Sequence, residues 1–131
     1  MFKVKDVMTR QYISVRPEDY VDQAVGLMLE HQISGLPVID DGGALHGVIT
    51  EFDIIDMVYE LDIQQSRVEQ YMTREVQTFD PDDSLDEAAC RFCHHTVRRF
   101  PVVSEGKVVG VMARRDLIRF VRDARRKESV Y

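Results

Sequence analysis

A chain of 131 residues, 44% hydrophobic and 31% charged, has the size and composition of one ordinary globular domain. No apolar run approaches the roughly 20 residues that span a bilayer, and Met1-Phe2-Lys3-Val4-Lys5-Asp6 lacks the apolar stretch of a signal peptide. A cytoplasmic protein with no membrane partner is therefore expected, and a net charge of −6 argues against nucleic acid as a general partner. The charge is uneven: residues 1–64 hold 4 Lys and Arg against 12 Asp and Glu, residues 65–131 hold 13 against 11, so the second half is able to hold one small anion.

The chain repeats itself. Val7-Met8-Thr9-Arg10 returns as Tyr71-Met72-Thr73-Arg74, Pro17 as Pro81, and Leu36-Pro37-Val38 as Phe100-Pro101-Val102, each 64 residues on. Gly47-Val48 returns as Gly110-Val111 and Asp53 as Asp116 at an offset of 63, because the loop Asp40-Asp41-Gly42-Gly43-Ala44 is one residue longer than its counterpart. A direct repeat of this length is two copies of one supersecondary unit, divided here into 1–63 and 64–131. Either half alone buries only a marginal core, so the two are expected to fold against each other and to place function in the groove between them.

In chain order, each copy opens with a short extended segment, Tyr12-Ile13-Ser14-Val15 or Val76-Gln77-Thr78-Phe79, closed by a polar turn at Pro17 or Pro81. A helix follows. Val21, Ala24, Val25, Met28 and Leu29 fall on one apolar stripe in the first copy, and Leu85, Ala88, Ala89, Phe92 and Cys93 in the second. Ser84 with Glu87 forms a capping-box pattern at the second of these helix starts. Two strands come next, turning at Asp40-Asp41-Gly42-Gly43 and at Glu105-Gly106, both hairpin signals. A last helix closes each copy, with Phe52, Ile55 and Tyr59 sharing a face in one and Leu117, Ile118 and Val121 packing similarly in the other. Residues 62–66, including Gln64-Gln65, read as the linker. The fold class is thus α+β, with two β-α-β-β-α units.

Chemistry concentrates in Gly47-Val48-Ile49-Thr50-Glu51-Phe52-Asp53, where a strand gives way to a helix. The free N–H groups and positive dipole end of a helix attract phosphate. The Thr50 hydroxyl can add a hydrogen bond to that anion, and the Asp53 carboxylate can accept from the 2′ and 3′ hydroxyls of a ribose. The same pattern is equally that of a helix N-cap followed by a first-turn acid.

Two β-α-β-β-α units, each with Met-Thr near its start, an apolar-Pro-Val strand and the Gly-x-x-Thr-x-x-Asp junction or its variant, resemble the cystathionine-β-synthase-type (CBS) domain. In tandem they are similar to a CBS pair, or Bateman module, over almost the entire chain, from about Val4 to Val121. The resemblance implies two repeats packed about a pseudo-twofold axis, with clefts that take AMP, ADP or ATP, or S-adenosylmethionine. It implies that Asp53 holds the ribose, Thr50 a phosphate, Ser34, Gly35, Leu36 and Pro37 (after Ile33) the adenine edge, and Ile13 and Val15 the apolar walls. In the second copy, Gly110-Val111-Met112-Ala113-Arg114-Arg115-Asp116 keeps the acid but puts Ala113 where the hydroxyl belongs. Asp116 marks a second site that is expected to be weak or empty, where Arg114 and Arg115 can supply charge instead, since guanidinium binds phosphate bidentately. Arg98 and Arg99, aligned with Ser34 and Gly35, match positions that carry basic residues toward phosphates in this family.

Other signals point elsewhere. Cys90-Arg91-Phe92-Cys93-His94 spells the c-type haem attachment pattern. It lies inside a helix, however, with Cys93 on the apolar stripe as a small hydrophobe. Cys90, Cys93, His94 and His95 on one helix cannot surround a zinc ion. His31 and His95 close equivalent helices, where a histidine suits the dipole, and His46 has no evident partner. The run Arg119, Arg122, Arg125, Arg126, Lys127 fits the C-terminal end of the last helix or a docking face for an acidic partner. No nucleophile, metalloprotease or P-loop motif is present in the sequence, so no cofactor, metal or enzymatic activity is expected. The expectation is a stand-alone regulatory module that binds an adenosine-containing ligand in the inter-repeat cleft, forms a homodimer and signals to an effector protein. The alternatives are a ligand-free assembly module with degenerate sites, and a cysteine-based metal or redox protein.

Overall fold

A computed structural model describes residues 2–59, 62–94 and 98–129, with side chains to residue 124. The elements in order are α1 (Val4–Val7), α2 (Val21–His31), β1 (Gly35–Ile39), β2 (Leu45–Thr50), α3 (Glu51–Asp56), α4 (Val68–Tyr71), α5 (Leu85–His94), β3 (Arg99–Ser104), β4 (Lys107–Ala113) and α6 (Arg114–Ser129). This is the duplicated α+β arrangement expected, with a two-stranded sheet in each repeat.

The packing groups these elements into two compact units. One is Met1–Tyr12, Gln77–Ser104 and Val109–Tyr131; the other is Ile13–Val76 with Glu105–Val108. Sequence repeat and packed unit therefore interleave: the segment that opens the first repeat packs with the sheet and helices of the second, and residues 64–76 pack with those of the first.

In the unit built on residues 13–76, β1 and β2 pair antiparallel from Gly35–Thr50 to Ile39–Leu45, with a register shift that leaves His46 as the extra residue. Asp40 organises the turn: its Oδ1 accepts from Gly42 N–H (2.9 Å) and Ala44 N–H (3.0 Å). Its Oδ2 lies 2.8 Å from His46 Nε2, which is the partner the sequence did not reveal. That hydrogen bond, with the backbone donors, holds the Asp40 carboxyl below the usual carboxylate range. The other hairpin turns on Glu105 and Gly106, both at positive φ (51° and 78°), as a two-residue hairpin turn demands.

The segments expected as opening strands each pair through one residue only. Val15 N–H donates to Pro37 O and Ile39 N–H to Val15 O; Phe79 repeats both bonds with Pro101 and Val103. Arg16 and Asp80 already lead into the polar turns at Pro17 and Pro81, so no ladder develops. Two one-turn helices, α1 and α4, add to the expected elements. A four-residue helix has no periodicity to read, and nucleating one is unfavourable without tertiary contacts. Here those contacts are backbone bonds: Val68 N–H to Asp19 O and Glu69 N–H to Pro17 O for α4, and Val4 N–H to Asp83 O and Lys5 N–H to Pro81 O for α1. The expected linker is likewise docked. Ile63 O and Ser66 O accept the first free N–H groups of α2, those of Asp22 and Val21.

Each unit has its own core. Val15, Met28 and Leu36 lie in one; the residues 64 positions on, Phe79, Phe92 and Phe100, lie in the other as an aromatic triad with centroids 5.0–5.9 Å apart. The buried stripes are narrower than the periodicity predicts. Val21, Ala24 and Met28 are buried, but Leu29 is 75% exposed. Ala88 and Phe92 are buried, while Ala89 and Cys93 are exposed, so Cys93 is not the core hydrophobe expected. Phe52, Ile55 and Tyr59 do not face a core, since Met57 turns inward instead; Ile118 and Val121 are also exposed, and only Leu117 of that trio packs on the core.

Candidate functional site

Thr50 ends β2 and caps α3. Its extended backbone (φ −122°, ψ 169°) turns the chain into the helix, and Asp53 folds back over it. Asp53 Oδ2 accepts from Thr50 N–H at 2.8 Å and from the Thr50 hydroxyl at 3.1 Å, and Asp53 N–H donates to Thr50 Oγ1 at 3.4 Å. The capping arrangement that the spacing allowed is thus realised. It engages the one hydroxyl proton that Thr50 would offer a phosphate. The other carboxylate oxygen, Oδ1, accepts from the Thr73 hydroxyl at 3.0 Å.

Thr73 reaches Asp53 because its backbone is docked on β2. Thr73 N–H donates to Val48 O (2.8 Å), and Val48 N–H donates to Thr73 O (2.9 Å). Gly47 permits the approach: a Cβ there would lie 2.4 Å from Thr73 O. Sequence reasoning overlooked Thr73 and its counterpart Thr9. The signal was the repeated Met-Thr together with the repeated glycine before the junction.

Of the other expected site residues in this unit, Ser34 and Gly35 meet the junction. Ser34 O accepts from Glu51 N–H at 2.9 Å, and Gly35 pairs with Thr50 across the sheet. Both are half-buried, as are Thr50 and Asp53. Ile13 lies half-buried on the fringe of the core. Val15 and Leu36 are core residues, and Pro37 is buried with its carbonyl taken by Val15 N–H.

The other unit repeats the geometry with different chemistry. Asp116 accepts from Ala113 N–H at 2.8 Å and from the Thr9 hydroxyl at 3.0 Å, and Thr9 is bonded to Val111 by two backbone bonds of 2.9 Å. Arg114 N–H donates to Arg98 O as Glu51 N–H does to Ser34 O. Asp116, however, is only 4% exposed, and the Arg119 guanidinium sits 3.3 Å from its Oδ1. The residue 63 positions before Arg119 is Asp56, and among the described residues no cation pairs with Asp53. Arg99 is half-buried, and desolvation lowers its pKa; the Asp116 charge opposes that shift and Arg115 adds to it. Among the described residues no carboxylate lies within 4 Å of the Arg99 guanidinium, while Arg98, Arg114 and Arg115 are exposed.

Cys90, Cys93 and His94 are exposed on α5, whereas His95 and the side chains of Arg125, Arg126 and Lys127 lie outside the described residues. Among the described residues no group of three or more His, Cys, Asp or Glu is placed to hold a metal ion, and no helix is long and apolar enough to cross a membrane.

The CBS domain family matches this chain twice, over residues 4–60 and 68–123. The CBS domain-containing protein YhcV of Bacillus subtilis is 33% identical over 118 residues, 89% of this chain and 84% of its own. Among solved structures, that of CBSX2 in complex with AMP is 31% identical with a TM-score of 0.85, covering 95% of this chain and 99% of that one. The CBS domain pair of MJ0100, in complex with 5-methylthioadenosine and S-adenosyl-L-methionine, is 27% identical with a TM-score of 0.78, covering 95% and 98%.

Proposed function

The chain belongs to the CBS-domain family, carrying two copies of the domain, and on that premise we propose that it is a regulatory module that binds an adenosine-containing ligand of the AMP, ADP or ATP class at Asp53. The observation that carries this is the state of that carboxylate. It is half-exposed and free of any cation among the described residues, and three donors aim it. A carboxylate has about four lone-pair sites; three are taken, two on Oδ2 and one on Oδ1, so Oδ1 retains acceptor capacity for one ribose hydroxyl. The AMP complex of CBSX2 and the S-adenosylmethionine complex of MJ0100 support the choice of ligand class. Asp116, buried and paired with Arg119, is the poorer of the two acids for this purpose. Arg98, Arg99, Arg114 and Arg115 are the proposed phosphate contacts in the unit that holds Asp116, with Arg99 foremost because it is desolvated and, among the described residues, no carboxylate lies within 4 Å of its guanidinium.

Titration calorimetry with AMP, ATP, S-adenosylmethionine and GTP tests this. Saturable heat is expected from at least one adenosine compound. Silence across the panel would leave the ligand-free assembly role instead.

A regulatory module acts through partners, because a ligand shifts a conformational population only by its differential affinity for the two states. Phe52 (77% exposed), Ile55 and Tyr59 (95%) present apolar surface on and just after α3, and we assign this surface to a homodimer, with signalling to a separate effector protein. Light scattering on a sizing column is expected to give twice the 15.2 kDa chain mass. The double substitution Phe52→Glu, Tyr59→Glu is expected to return the monomer; an unchanged dimer would remove this surface from the interface.

A further inference from the structure

We propose that Thr73 is the positioning residue of the Asp53 site, fixing the carboxylate in the orientation that receives a ribose hydroxyl. The inference rests on the ligand class proposed above and adds a determinant of it. Oδ2 already accepts from two donors, so a ribose hydroxyl must be received on Oδ1, and that oxygen needs a fixed direction. Thr50 anchors only Oδ2, through its N–H at 2.8 Å and its hydroxyl at 3.1 Å. Rotation about the carboxylate bond would leave that anchor and carry Oδ1 away from the ribose hydroxyl. The 3.0 Å bond from Thr73 Oγ1 to Oδ1 supplies the missing constraint.

The threonine is itself immobilised by the paired backbone bonds to Val48 and by close approach over Gly47. The arrangement is built twice. Thr9 donates to Asp116 Oδ1 at the same 3.0 Å, docks on Val111 through the same two bonds, and lies over Gly110, where a Cβ would meet Thr9 O at 2.9 Å. Two copies that differ at the hydroxyl position, Thr50 against Ala113, and at the neighbouring charge, Asp56 against Arg119, both keep this contact along with the backbone N–H bond to Oδ2. In each pair the threonine comes from the opposite sequence repeat to the acid it holds.

The test uses Thr73→Val, which keeps shape and β-branching but removes the donor, and Thr73→Ser, which restores it. Both are titrated with AMP and with 2′,3′-dideoxy-AMP, which lacks the diol. A hydrogen bond to a charged group is worth enough to change affinity about tenfold. Thr73→Val is therefore expected to weaken AMP about tenfold and to leave dideoxy-AMP unchanged, and Thr73→Ser to recover AMP binding to within about twofold. A purely structural role would weaken both probes together, and that result overturns the proposal, as does Thr73→Val binding AMP like the parent. Thr73→Ala serves if the valine variant does not give a cooperative melt. Failure of the parent protein to bind either probe overturns the ligand class as well, which separates the two failures.

Discussion

Asp53→Ala is expected to weaken AMP binding by about ten- to a hundredfold while leaving a folded protein. A ribose hydroxyl of the proposed ligand would donate a hydrogen bond to this charged acceptor, worth about 1.5–3 kcal/mol. That range corresponds to roughly ten- to a hundredfold in affinity. The same substitution removes the group that accepts from Thr50 N–H, a capping loss of about 1 kcal/mol, so the melting temperature should fall by only a few degrees. Asp53→Asn separates the two effects. It keeps an acceptor for Thr50 but removes the charge that strengthens the bond from a ribose hydroxyl and replaces one acceptor oxygen with an amide donor, so binding should fall with almost no change in melting. Calorimetry that finds AMP bound to Asp53→Ala within threefold of the parent would remove Asp53 from the site.

Gly47→Ala carries the largest expected cost in stability, because its effect is steric and falls on backbone. The added Cβ would lie 2.4 Å from Thr73 O and 3.2 Å from its carbonyl carbon, closer than real Cβ contacts come. The docked segment must lift away, with loss of both Val48–Thr73 backbone bonds. Overpacking of this kind costs about 3 kcal/mol, or about 10 °C in melting temperature. AMP affinity should fall in parallel, since Thr73 leaves Asp53. Gly26→Ala is the control of opposite sign: it lies inside α2 with nothing within 4 Å of the new methyl, and should stabilise the protein by about 0.5–1 kcal/mol. Thermal melts of the two variants should therefore move in opposite directions. A Gly47→Ala melt within 2 °C of the parent would contradict the close packing of the Met-Thr segment on β2.

Where expectation and structure part, the cause is specific. Periodicity marked which helix faces are apolar, but Leu29 and Cys93 stand at the edge of their stripes, and only the neighbouring elements decide that such positions stay in water. Phe52 and Tyr59 look like core residues on spacing alone. They are exposed because α3 ends at Asp56 and the chain turns Met57 inward. One-turn helices and single-residue strand pairings carry no periodic signal, so α1, α4, Val15 and Phe79 became visible only through their long-range backbone bonds.

The duplication, the order of helices and hairpins, the turn at Glu105-Gly106 and the acid at each strand-to-helix junction were all written in the sequence. They depend on local spacing, and local spacing can be read along one chain. The tertiary structure alone decided that Thr73 grips Asp53 and Thr9 grips Asp116, and that residues 1–12 and 64–76 each pack with the other repeat. Those pairings join residues 20 and 107 positions apart. They exist because a backbone strand can lie against a glycine, a fact of packed surfaces that no interval in the sequence encodes.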